Sequence, residues 1–304
     1  MNKPRIAFLG IGLMGLPMAA RLLNSGYALT VWNRTTAKCE PLKKLGAEIA
    51  ATPSGAIAGP DGSADLIISM LEAGNIVGEM IQQTFVSLRA GQTWIDMSST
   101  QQKEAQEFNI ILGNKGVRFV DAPVSGGVIG AEAGTLAIMA GANSADFIKI
   151  KPVLDVLGKP TLVGLPGSGQ LAKLCNQLIV GGTINIVAEA LLLAQAGGAD
   201  PVAVRQALRG GFAESRILEV HGQRMLDRNF LPGGQVKSQS KDMQNILQAA
   251  HSNGLQLPVT EMIAAIYQQL LICQPTADHS AALLALEQKN PGKRLGDQPD
   301  ILPS

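Results

Sequence analysis

The sequence predicts an α/β protein: a doubly wound parallel sheet in the N-terminal half, and an all-α C-terminal domain joined to it by a long inter-domain helix. Three observations predict it. Short apolar runs alternate with helix-length stretches as far as residue 164, the pattern of a parallel sheet covered by helices on both faces. Beyond that point strand signals stop and helical periodicity continues alone. Between the two halves, residues 167–196 form one apolar stretch without proline, in which only Lys173 and Glu189 are charged from residue 171 onward. The 304 residues are 46% hydrophobic and 16% charged, enough apolar material for two buried cores.

Taken in order, residues 5–9 are an apolar run ending in glycine, the pattern of a buried strand. The glycine-rich stretch 10–15 (GIGLMG) follows, then a helix to about Ser25 and a second strand over 27–32. Residues 48–50, 65–70, 93–97, 117–121, 136–141 and 160–164 read as further strands. Residues 52–58, 75–88 and 145–157 read as helices, and 59–62 as a loop. The hydroxyl cluster Ser98, Ser99 and Thr100 is placed to cap the next helix or to touch a ligand. After the long helix, helices are expected from Pro201, over 214–226 and 238–252, from Pro258 to about Leu271, and over 278–287. The domains are therefore drawn at 1–164 and 165–288, with 289–304, rich in Pro, Gly and charge, as a loose tail.

Strand, glycine turn, helix and strand within some 30 residues make GIGLMG a dinucleotide-binding turn of the Rossmann type. Gly10 permits the tight turn, Gly12 lets backbone approach a pyrophosphate, and Gly15 lets the helix pack closely on the strand. The helix N-terminus then offers free N–H groups to the phosphates. The end of the second strand carries Asn33, Arg34 and Thr35, with Lys38 one turn later. A carboxylate there would favour a free ribose 2′-hydroxyl, whereas these cations and hydroxyl suit a 2′-phosphate. NADP(H) is thus expected over NAD(H), with NAD remaining possible.

Residues 121–127 (DAPVSGG) put consecutive small residues after a strand, which reads as a plain loop or as a backbone nest for a carboxylate. On the long helix Lys173, Asn176 and Gln177 lie three and four apart and share one face. Three readings of that helix compete: a membrane span, a core helix with Lys173 at its solvated start, and a helix carrying a functional lysine. Asn176, Gln177, Thr183, Asn185 and Glu189 interrupt the apolar run and count against the span. Cys39, Cys175 and Cys273 are too scattered for a disulfide framework, and no two of His221, His251 and His279 stand at metal-ligand spacing, so no metal is expected. The N-terminus imitates a signal peptide, but glycines 10, 12 and 15 and Pro17 interrupt its apolar run, and a cytoplasmic protein is expected. A net charge of +1 without a basic cluster argues against nucleic acid as the main partner, and no membrane partner is expected.

Four separated motifs, GIGLMG at 10–15, DAPVSGG at 121–127, GSGQLAKLCNQ at 167–177 and Lys241-Asp242 within SKDMQN, resemble the β-hydroxyacid dehydrogenases, and the resemblance covers nearly the whole chain. It implies a reductase or dehydrogenase that interconverts a small carboxylate semialdehyde and its 3-hydroxy acid. Within the family the segments 173–177, 225–230 and 278–281 look most like members acting on tartronate semialdehyde. Members acting on 3-hydroxyisobutyrate, or on glyoxylate and succinic semialdehyde, are the alternatives. The resemblance implies that Lys173 is the acid or base, with Asn176 holding the reacting oxygen and Gln177 behind it. Ser125, Gly126 and Gly127 are implied to hold the substrate carboxylate. Lys241 is implied to lie near the nicotinamide, and Leu13, Met14, Met70, Leu71 and Ser99 complete the candidate cofactor contacts.

In the implied chemistry Lys173 protonates the alkoxide formed by hydride transfer, a task that suits a lysine whose pKa is lowered by apolar surroundings and by Lys241. The cleft is expected between the domains at the carboxyl ends of the strands, with Phe212, Phe230 and 233–240 as candidate lining. Imine reductases share the glycine loop but usually lack the lysine. A catalytically silent NADP-binding module acting through protein contact is the rival from another class, and Lys173, Asn176 and Ser125 together count against it. Low charge and an apolar helical domain suggest a homodimer or homotetramer.

Overall fold

The computed structural model describes residues 3–59 and 62–303; Pro60 and Asp61, at the centre of the expected loop 59–62, lie outside them. The chain divides into two compact units, Met1–Lys173 and Leu174–Ser304.

The first unit is built on one sheet of nine strands: β1 (Ile6–Leu9), β2 (Leu29–Trp32), β3 (Glu48–Ile49), β4 (Leu66–Ser69), β5 (Thr93–Asp96), β6 (Arg118–Asp121), β7 (Val124–Ser125), β8 (Leu136–Gly141) and β9 (Gly158–Gly164). Their order is β3-β2-β1-β4-β5-β6-β8-β7, with β9 beside β8. β1 to β6 pair in parallel, whereas β8 runs antiparallel to β6 and β7 and parallel to β9. The strand order reverses at β1, which has β2 on one side and β4 on the other, the position where open α/β sheets bind ligands.

β1, β4 and β5 are buried along their whole length because both sheet faces are covered. Successive residues feed opposite faces. Ile6, Phe8, Ile68, Ile95 and Val120 join one core with Met18 and Leu22 of the helix Gly15–Asn24 and Leu154 of the helix Ser144–Leu157. Ala7, Leu9, Ile67, Trp94 and Phe119 join another with Val77 and Ile81 of the helix Gly74–Thr84 and Phe108 of the helix Gln102–Gly113. The doubly wound reading therefore holds.

Three local expectations change. The helix after β5 is capped by a box of Gln101 and Glu104, not by the hydroxyls at 98–100. Beyond Asp121 there is no plain loop: β7 pairs antiparallel with β8, and a short helix, Gly127–Ala133, follows. The unit boundary falls at Lys173 and not at 164, because the long helix Ser168–Ala196 is hydrogen-bonded at its start to the end of β6 and to the loop after β5.

In the second unit the rest of that helix supplies Leu174, Ile184, Val187, Ala188, Leu191 and Leu192 to a single core. The helices Arg216–Leu226, Val236–Ser252, Pro258–Cys273 and Ala282–Lys289 complete it, through Leu218, Met243, Tyr267 and Leu283 among others. By length and composition the long helix could cross a membrane, but one of its faces, Leu174, Ile184, Val187 and Leu191 among others, is buried in this core.

The segment after 289 is tied down rather than loose. Leu295 is fully buried in the core, the Phe230 N–H donates to the Ile301 carbonyl, and the Ile301 N–H donates to that of Arg228. Arg228 is buried, with the uncommon φ of 52°. It grips Glu287 through Nη1 (2.6 Å) and Nη2 (2.9 Å), and Asp300 through Nε (2.6 Å). The polar composition that reads as a tail includes the partner of a buried guanidinium.

Candidate active site

The loop after β1 gives each glycine of GIGLMG a separate reason. Gly10 has φ 105°, and a side chain there would strike the Met70 carbonyl and Leu71. A Cβ on Gly15 would strike the Gly10 carbonyl, so the helix can sit this close to the strand only without one. A Cβ on Gly12 would meet nothing within 4 Å, leaving open space beside the backbone. The helix Gly15–Asn24 begins at Met14 with no side chain capping it, and Leu13 stands 85% exposed on the loop. These features fit a dinucleotide pyrophosphate: bare backbone, uncapped N–H groups and room for phosphate oxygens.

Asn33, an expected cofactor contact, braces the loop with its amide. Its Oδ1 accepts from the Ile11 N–H (2.9 Å) and its Nδ2 donates to the Thr35 carbonyl (3.0 Å). Arg34, Thr35 and Lys38 follow it and are exposed, with no carboxylate among residues 33–39. Met70 and Leu71 wall the glycine loop at the end of β4, and the Leu71 N–H donates to Ser98 Oγ (2.9 Å). Ser99 lies half-buried in the same loop after β5. Except for Lys241, the expected cofactor residues thus gather at the carboxyl ends of neighbouring parallel strands.

β6 ends at Asp121, the first residue of DAPVSGG. Its buried carboxylate accepts from the Gly167 N–H at Oδ1 (2.7 Å) and from the Gln170 N–H at Oδ2 (2.8 Å). Gln170, also buried, accepts from the Thr100 N–H (3.0 Å) and donates to the Ser98 carbonyl (2.8 Å). Burial pushes the Asp121 carboxyl up to about 6, against the N–H groups of Gly167, Gln170 and Gly169. Burial likewise raises Asp96 to about 6, against bonds from Ser98 and Ser69, and its Oδ2 is buried without a hydrogen-bond partner. Further along the motif, Ser125 is half-buried, and Gly126 and Gly127 take φ of 138° and 63° as they open the short helix. A Cβ on Gly127 would also face open space. Lys173 stands on the long helix three residues after Gln170, at the end of the first unit.

Asn176, Gln177 and Lys241 belong to the second unit. Asn176 Nδ2 donates to Gln177 Oε1 (2.9 Å), and Gln177 Nε2 donates to Asp242 Oδ2 (2.7 Å). Gln239 Nε2 reaches the Gln177 carbonyl (3.2 Å), so the long helix is tied to the helix Val236–Ser252 beside the exposed Lys241. Phe212 is fully exposed, but Phe230, expected to line a cleft, is fully buried in the core.

Sequence reasoning missed Asp121, Gln170 and Asp242. Asp121 and Asp242 lie inside the family motifs, which is the signal available, and Gln170 lies three residues before Lys173 within the third.

The fold also brings together two histidines that are far apart in sequence. Ligating atoms of His221, Asp278 and His279 lie within 4.8 Å of one another. The Asp278 oxygens are already taken by the N–H groups of Gly233, Gly234 and Ser280. The cluster therefore clasps the chain around 233 to the turn at 278. Burial opposes ionisation of Asp278, yet His221, His279 and Ser280 outweigh it and hold the carboxyl well below its ordinary range. Burial, with His221 and Arg224 nearby, lowers the His279 imidazole to about 4, against the pull of Asp278.

A model of the NAD binding domain of 6-phosphogluconate dehydrogenase matches residues 5–186. A model described as the NAD-binding part of NADP-dependent 3-hydroxyisobutyrate dehydrogenase matches residues 167–286. The chain is 42% identical over 289 residues to a 2-hydroxy-3-oxopropionate reductase of Escherichia coli, covering 93% of this chain and 97% of that one. It is 31% identical to a probable 3-hydroxyisobutyrate dehydrogenase-like protein of Arabidopsis thaliana, over 95% of this chain and 87% of the relative. Its fold matches that of Mycobacterium tuberculosis 3-hydroxyisobutyrate dehydrogenase, solved with L-serine, at a TM-score of 0.85 and 27% identity, over 94% of this chain and 99% of the other.

Proposed function

Because the chain belongs to the β-hydroxyacid dehydrogenase family, we propose that it is an NADP(H)-linked enzyme reducing a small carboxylate semialdehyde to its 3-hydroxy acid, with tartronate semialdehyde, giving glycerate, as the favoured substrate. One observation carries the reading. The helix that bears Lys173 is bonded at its start to the same sheet end that holds the dinucleotide loop, so a hydride site and a proton donor are mounted on one frame.

The bound dinucleotide supplies the hydride. Lys173 Nζ–H gives a proton to the oxygen that becomes the alcohol, and in the reverse direction takes it back. Asn176 holds that oxygen, and Gln177, fixed by Asp242, supports Asn176 from behind. Ser125, with the N–H groups of Gly126 and Gly127, holds the carboxylate. Lys241 adds positive charge near the nicotinamide end. Arg34, Thr35 and Lys38 set the preference for the 2′-phosphate. Ile179, Ile186 and Leu193, exposed by 62%, 62% and 74% at every seventh residue of the long helix, support a homodimer or homotetramer, which light scattering after gel filtration measures. The glycines and proline that interrupt the N-terminal apolar run support a cytoplasmic setting, and the net charge of +1 without a basic cluster counts against a nucleic-acid partner.

The test is oxidation of NADPH and NADH in parallel with tartronate, succinic and methylmalonate semialdehydes and glyoxylate. NADPH should be used with about tenfold or better efficiency, the scale of one charge-assisted contact. A preference for NADH would refute the role of Arg34, and tight NADPH binding without turnover of any aldehyde would favour the silent module. Lys173→Ala should lower kcat by about 100-fold or more, the contribution of general acid–base catalysis.

A further inference from the structure

We propose that Asp121 and Gln170 are positioning residues that fix Lys173 relative to the dinucleotide loop, an inference that rests on Lys173 being the proton donor. The N-terminus of an α-helix leaves N–H groups without partners in its own ladder, and a neighbouring Ser, Thr, Asp or Asn usually takes them. The long helix cannot be served that way, because Pro166 and Gly167 precede it. Its cap comes from 46 and 49 residues away: one carboxylate, at the end of β6, takes the N–H of Gly167 and that of Gln170. The fit around that carboxylate is tight. A Cβ on Gly141 or Gly169 would collide with Asp121, so the strand alongside and the helix itself are bare where it sits.

Asp121 fixes the end of the helix; Gln170 fixes its rotation. The Gln170 amide reads backbone in both directions, accepting from Thr100 N–H and donating to the Ser98 carbonyl. Lys173 follows at i+3, so its direction is set by the same turn. The grip continues past Gln170. Ser98 Oγ accepts from the Leu71 N–H, and Leu71 stands against the place where Gly10 lacks a side chain. A continuous path, Gly10, Leu71, Ser98, Gln170, buried except at the half-buried Leu71, therefore joins the cofactor cradle to the lysine helix within one unit. Hydride and proton must arrive at adjacent atoms of one carbonyl, and a misplacement of about 1 Å can cost roughly 100-fold in rate. The path sets that distance by direct contacts.

The experiment uses the purified full chain with the best aldehyde of the panel and compares wild type, Asp121→Asn, Lys173→Ala and the double variant. The Asn amide matches the carboxylate in shape but turns an N–H₂ toward one of the helix N–H groups. Asp121→Asn should lower kcat by about 10- to 100-fold while the Kd for NADPH, read by fluorescence titration, stays within about threefold, since ground-state binding is elsewhere. On the Lys173→Ala background the same change should cost less than about twofold, because residues acting through one group are non-additive. Undiminished kcat in Asp121→Asn, or a full multiplicative loss in the double variant, overturns the proposal. If Asp121→Asn does not fold, Gln170→Glu is read by the same criteria, since it keeps the acceptor toward Thr100 and loses the donor toward Ser98. Near-normal turnover in Lys173→Ala would overturn the proton-donor reading itself, separately from the two positioning roles.

Discussion

The two units bury polar groups by different means. In the first, carboxylates meet neutral partners: Asp96 takes the Ser69 hydroxyl and the Ser98 N–H, and Asp121 takes two backbone N–H groups. In the second, opposite charges meet at Arg228, which holds Glu287 and Asp300, while Asp278 joins three backbone N–H groups to the imidazoles of His221 and His279. Neutral donors alone do not cancel the desolvation of an ion, so Asp96 and Asp121 rise to about 6, while Asp278, with His221 and His279 added to its N–H donors, is held low. The sheet end thus obtains geometry at some cost in stability near neutral pH, and the helical unit obtains cohesion that depends on charge.

The largest effect that could break this contrast is at Arg228. Arg228→Ala leaves Glu287 and Asp300 facing an emptied core, and should destabilise by roughly 3–5 kcal/mol in urea unfolding, the range for breaking a buried pair. A loss below about 1 kcal/mol, the value of a surface pair, would place that network with the exposed ones.

Acid sharpens the contrast next, because the units should respond with opposite sign. His279 has a folded pKa of about 4 against 6.5 unfolded, so its share of stability is intact above 6.5 and is lost as pH falls toward 4. Asp278 adds to the loss once pH drops below its unfolded value of 3.8. Asp96 and Asp121 have folded values near 6 against 3.8, so their penalty is full above 6 and is relieved as pH falls from 6 to 3.8. The helical unit should therefore yield first. Both tryptophans, Trp32 and Trp94, lie in the first unit. Loss of helical circular dichroism should precede the change in tryptophan fluorescence between pH 6.5 and 4, and the reverse order would contradict the assignment.

The smallest effect concerns Asp96, whose Oδ2 has no hydrogen-bond partner. Asp96→Asn removes the buried charge and should stabilise by about 1 kcal/mol at pH 8, with the gain vanishing near pH 4, where the acid is already neutral. Equal gains at both pH values would mean that packing, and not ionisation, governs the site.

How much could be read in advance follows from range along the chain. β1, β4 and β5 are legible because burial on both faces makes continuous apolar runs, and the glycine loop is legible because its requirements fall within six residues. The antiparallel pairing of β7 with β8 is not, since two residues cannot display a period. The helix Gly127–Ala133 hides in glycine and alanine, which signal turn and helix alike. Asp121 as the cap of the long helix leaves no local signature, because cap and helix are 46 residues apart. The tail misreads for the same reason: Asp300 and Arg294 look solvated until Arg228 is placed against Asp300.

Gly12 has a consequence for anyone engineering this chain. Its backbone conformation is open to ordinary residues, and an added methyl would touch no protein atom. A library ranked by thermal stability would score Gly12→Ala as silent and carry it forward. On the proposed pyrophosphate site, only a screen run with the dinucleotide present would register the change.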